Sequence, residues 1–70
     1  MVVEKLDKRF GIVAIENGFI DTEQLFKAME VQVFENLDGT KHRLIGEILL
    51  EKGYITVDQI EEVLKLMGIP

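Results

Sequence analysis

The chain has 70 residues, no cysteine and a formal net charge of −5. That length allows a single domain over 1–70, and the missing cysteines exclude disulfide and thiolate–metal staples. The charge disfavours nucleic-acid backbones as partners, while an apolar fraction of 47% in so short a chain predicts burial against another protein or a second copy.

The opening MVVEKLDKRF lacks the long apolar core of a signal peptide, and no later run approaches the roughly 18 apolar residues of a membrane span. A cytoplasmic protein without membrane insertion is expected. Leu6, Phe10, Val13 and Ala14 then recur at helical spacing, and Asn17–Gly18 supplies a left-handed stop. In IDTEQL, Asp21 is a predicted N-cap, Gln24 reaches back to it, and Ile20 packs on Leu25 as a hydrophobic staple. This second helix runs on through VFENL to a turn at Asp38–Gly39, after which Thr40 is placed to cap a third helix carrying Leu44, Ile48 and Leu49. Gly53 stops that helix, Thr56 and Gln59 repeat the capping pair, Ile55 meets Ile60, and Gly68 closes the fourth helix before Pro70.

These elements are one unit written twice. Gly11, Glu16, Gly18, Ile20 and Gln24 match Gly46, Glu51, Gly53, Ile55 and Gln59 at a constant offset of 35. Phe10 and Ile45, Val13 and Ile48, Leu25 and Ile60, and Met29 and Leu64 align as apolar pairs. The predicted fold is all-α: four short helices forming two tandem helix-turn-helix repeats, about 4–37 and about 40–68, packed into a small bundle. Gly11 and Gly46 stand inside helices, where glycine costs roughly 1 kcal/mol relative to alanine. Their missing Cβ would let another helix, or a flat ligand, approach closely.

The string Arg9, Phe10, Gly11, Ala14, Gly18, Leu25, Met29, Gln32 resembles a motif of the MshEN-type N-terminal domain of type II secretion and type IV pilus assembly ATPases. That family carries two tandem R-L-G motifs, each followed by spaced leucines, a second glycine and a glutamine. The resemblance implies a binding site for cyclic di-GMP, with Arg9 chelating a guanine edge or bridging phosphate oxygens, Phe10 and Gly11 admitting the ring, and Gln32 meeting a polar edge. It also implies a secretion- or pilus-type protein partner. In the second motif Leu44 takes the arginine position with Arg43 one residue early, Gly46 is retained, and Met67 takes the glutamine position. Ligand would then draw on Arg43 and Gly46 from a shifted turn, or on the first motif of another subunit.

Enzyme chemistry finds no footing. The chain has no serine or cysteine, and His42 is its one histidine, so neither a nucleophile–base pair built on Ser, Cys or two histidines nor a histidine-rich metal site can be assembled. The run Lys41, His42, Arg43 is placed at a helix N-terminus, and Asp58, Glu61 and Glu62 read as a solvated face rather than cation ligands. Two helices joined by a tight turn also fit DNA binders, but the second helix of each repeat is acidic, with Asp21, Glu23 and Glu30 in one and Asp58, Glu61 and Glu62 in the other. Two readings stand: a non-enzymatic interaction module without a cofactor, and a cyclic di-GMP sensor built on the first motif.

The helix beginning after Asp21 carries two apolar faces. Leu25, Ala28, Met29 and Gln32 suffice to pack on the first helix, leaving Phe26, Val33, Phe34 and Leu37 as a second strip. Unless the third and fourth helices cover it, that strip predicts a symmetric homodimer.

Overall fold

A computed structural model describes residues 2–39 and 41–69, with side chains from Asp7 onward. Thr40, Pro70 and the side chain of Leu6, each invoked above, lie outside the described residues. Four helices follow in order: α1 Val2–Glu16, α2 Thr22–Asp38, α3 Ile45–Glu51 and α4 Val57–Leu66, with no strand among the described residues. The all-α reading and the four helices hold.

The turns form as their residue types dictate. Gly18 has φ 73° and Gly53 φ 76°, a left-handed conformation that side chains rarely adopt. In each the glycine N–H returns to the carbonyl three residues back and the next N–H to the carbonyl five back. Those bonds are Gly18 to Ile15 and Phe19 to Ala14 in the first repeat, and Gly53 to Leu50 and Tyr54 to Leu49 in the second. This doubly bonded stop leaves the chain pointing back across its own helix, so α2 and α4 each begin within a few residues.

The capping pairs are reciprocal. The Asp21 carboxylate accepts from the Gln24 N–H at 2.7 Å and the Gln24 side-chain oxygen from the Asp21 N–H at 3.0 Å. Thr56 and Gln59 repeat the arrangement at 3.1 and 3.0 Å. Both staple isoleucines, Ile20 and Ile55, are buried.

The third helix departs from expectation. It begins at Ile45 with Leu44 as its N-cap, later than a cap at Thr40 would place it, and residues 41–44 are extended loop. Leucine offers no acceptor, so the first donors are met from elsewhere. Glu47 accepts from the Leu44 N–H at 2.9 Å, and Asp7 of α1 accepts from the Ile45 N–H at 3.3 Å.

Short α3 sits at the centre, packed against α2 and α1, while α1 also packs against α4. Ile45, Ile48 and Leu49 of α3 join Phe10 and Ala14 of α1, Ala28 of α2, and Val63 and Met67 from α4 and its end in one core. Each helix is amphipathic and none could bury its apolar face alone, so the repeats are stable only when packed together.

Candidate functional site

Of the residues that the family resemblance singles out, the glycines have packing partners. A Cβ on Gly11 would lie 2.8 Å from a terminal carbon of Leu25, and one on Gly46 would lie 3.2 Å from the edge of the Phe10 ring. Gly11 therefore brings α2 close to α1 within a repeat, and Gly46 brings α1 onto α3 between repeats. Phe10 is a buried core side chain.

Gln32 and Arg43 also have internal partners. The Gln32 amide donates to the Asp7 carboxylate at 2.6 Å and to the backbone carbonyl of Arg43 at 3.0 Å. Both amide hydrogens are thus committed, and Asp7 ties α1, α2 and the start of α3 into one clasp. Arg43 grips Glu35 with two parallel bonds, Nε at 3.1 Å and Nη2 at 2.6 Å, and reaches Glu51 through Nη1 at 2.8 Å. Hydrogen bonding to Arg43 holds the Glu35 and Glu51 carboxyls below their ordinary value, and the same bonds raise the Arg43 guanidinium further above its own. Binding an external anion at Arg43 would require breaking a bidentate pair.

Arg9 is exposed on α1, with no hydrogen bond or ion pair to any described side chain. The basic run does not sit on a helix N-terminus: Lys41, His42 and Arg43 lie in the loop before α3, and His42 Nδ1 is 3.0 Å from the Asn36 side-chain oxygen. An apolar groove of about 440 Å³ runs between α1, α3 and α4, and it brings together Phe10 and Gly46 but not Arg9, Gly11, Gln32 or Arg43. Its charged lining residues are Asp7 and Glu47, the wrong sign for a phosphodiester. Asp58, Glu61 and Glu62 are exposed along α4, and no three potential metal-ligating side chains gather among the described residues.

The second strip on α2 is open to solvent. Phe26 is 67% exposed, Val33 55%, Phe34 65% and Leu37 79%. Helices α3 and α4 do not cover them. Met29, placed above on the inner face, is 40% exposed and borders the strip, because Ala28 and Leu25 already fill the contact with α1 and the core.

Sequence reasoning missed Asp7 and the carboxylate pair around Arg43. A signal for Asp7 was present, since it shares the apolar face of α1 with Phe10 and Ala14 at i, i+3 and i+7, and a polar group there needs a partner. The Arg43 bridge carried no such signal, because its carboxylates come from residues eight positions away on either side. Among the described residues no helix is long and apolar enough to cross a membrane. Comparison with family models, curated proteins and solved structures finds no match for this chain.

Proposed function

We propose that this chain is a non-enzymatic helical association module of the secretion and pilus ATPase N-terminal type, working in the cytoplasm through the outer face of α2. The observation that carries the reading is the strip of Phe26, Val33, Phe34 and Leu37, each more than half exposed on one helix. The duplication supplies an internal control. At the offset of 35, Phe26 corresponds to Glu61 and Val33 to Gly68, while Phe34 corresponds to Ile69, so the second repeat keeps only part of this apolar face. An exposed apolar face this large on so small a domain marks a docking surface.

The test compares the parent protein with the double variant Phe26→Glu/Phe34→Glu. The variant should keep its helix content and, in dilute solution, its urea midpoint, while losing every association the parent makes, with itself or with a partner bound to the immobilised protein. A variant that associates as the parent does overturns the reading.

The second reading, a cyclic di-GMP sensor, is favoured by one observation: Arg9 stands exposed where the motif requires a ligating arginine. Against it, the glycines are filled, Gln32 and Arg43 are committed, and the groove is edged with carboxylates. Calorimetric titration with the dinucleotide should give weak binding or none. Submicromolar binding abolished by Arg9→Ala would favour the sensor instead.

A further inference from the structure

We infer that the partner of the α2 face is a second copy of this chain, bound antiparallel about a two-fold axis passing near Val31 and Gln32. The inference rests on the docking reading above and names its occupant.

The strip itself is nearly symmetric end to end. Measured from the midpoint between Val31 and Gln32, Phe26 and Leu37 lie equally far out on opposite sides, and so do Met29 and Phe34. An antiparallel isologous contact is favoured by this kind of pattern, because each half of the patch must fit the other half of its own copy. Running the second helix in the reverse direction sets Phe26 level with Leu37 and Met29 level with Phe34 of the second copy. Val33 then stands level with Glu30, which lies on the same face between Phe26 and Phe34 and brings a carboxylate into the contact. A parallel pair would instead set each residue level with itself, Phe26 on Phe26, and would leave Lys27 about three turns from Asp38 of the second copy.

Charge favours the same direction. Lys27 and Asp38 lie on one flank of α2, and in the antiparallel arrangement each comes within a turn of the other on the second copy, twice by symmetry. Among the described residues of its own chain Lys27 has only an exposed contact with Glu23 at 3.7 Å. Antiparallel helices also place the positive end of each helix dipole beside the negative end of the other.

The surface is large enough. The five side chains Phe26, Met29, Val33, Phe34 and Leu37 leave roughly 500–600 Å² in water, so pairing two copies withdraws about 1,100 Å², and flanking side-chain stems bring this to the lower range of specific interfaces.

The test exploits the absence of native cysteine. Phe26→Cys and Leu37→Cys, mixed and oxidised, should form mainly the mixed 26–37 disulfide, with little cross-linking of either variant alone. Should the Phe26 substitution loosen the pair, Lys27→Cys with Asp38→Cys joined by a short bis-maleimide leaves the strip intact and gives the same readout. Cross-linking of each variant to itself as readily as to the other overturns the antiparallel arrangement. Sedimentation equilibrium of the parent should give a mass rising to twice that of the chain across micromolar to millimolar concentration, and a strictly monomeric mass throughout overturns the second copy as partner. That last outcome leaves the docking face intact, because the double glutamate variant tests it against any partner.

Discussion

The two repeats share their punctuation and differ in their helices. Both end the first helix on a left-handed glycine and open the second on a reciprocal cap, Asp21 with Gln24 and Thr56 with Gln59. Yet α1 has 15 residues against seven in α3, and α2 has 17 against ten in α4. The shorter pair supplies the largest fully buried side chains, Ile45, Ile48, Leu49 and Val63, whereas α2 of the longer pair supplies the exposed apolar face. Local turn chemistry, set by a few residues, survives duplication easily. The faces of the helices, which answer to different neighbours, do not have to match.

The largest test of that contrast lies in the core. Leu49 is fully buried on α3, and its counterpart in the first repeat is Ala14, also fully buried. Leu49→Ala removes side-chain volume that the first repeat never supplied, and should cost about 3–5 kcal/mol of unfolding free energy, read from urea melts. A cost below about 1 kcal/mol would mean that α3 is not the centre of the packing.

Next come the two paired glycines. Gly46→Leu and Gly11→Leu should each cost roughly 1–3 kcal/mol, with Gly46 the more severe. The reason is what each faces: Gly46 meets an aromatic ring held in the core, Gly11 the flexible end of Leu25. Equal shifts in urea midpoint would erase the distinction between a contact within a repeat and one between repeats.

A third comparison concerns the caps. Asp21→Ala and Thr56→Ala should each cost about 1 kcal/mol, since each leaves one helix donor without its oxygen. Thermal melts in which one cap mattered and the other did not would show that the matching geometry hides different energetics.

The smallest effect is electrostatic and belongs to the junction between the repeats. Glu35 and Glu51 have carboxyl pKa values lowered by Arg43. A lowered folded-state value contributes stability that is present above the ordinary carboxylate value of 4.5 and is lost as pH falls through the lowered values. The urea midpoint should therefore drop on acidification below about pH 4.5, and Arg43→Met should flatten that drop. An unchanged acid limb in Arg43→Met would show that the bridge contributes nothing to folding.

How much of this was legible in the sequence follows the range of each interaction. Asp21 with Gln24, Thr56 with Gln59, and the stops at Gly18 and Gly53 depend on residues within one turn of each other, so their types alone announced them. The start of α3 did not, because its backbone donor at Ile45 is satisfied by Asp7, 38 positions earlier, and the local candidate Thr40 stands too early to cap a helix whose N-cap is Leu44. Gln32 and Arg43 were singled out by a motif resemblance, and their actual partners emerge only when α1, α2 and the loop meet. The exposure of Phe26 and Phe34 lay in between: helical spacing showed a second face, and only the packing showed that nothing among the described residues covers it.

The Asp7 bond has a kinetic consequence. An isolated helix needs about 12–15 residues to be even marginally stable in water, and α3 has seven. Its first turn is held by a carboxylate of α1, 38 positions earlier, so α3 is expected to be stable only once α1 has formed and docked. Loop closure over those 38 positions then precedes the central packing, which makes the second repeat a late, dependent half of the fold. Amides of α3 should accordingly exchange with solvent no more slowly than those at the C-terminal half of α1.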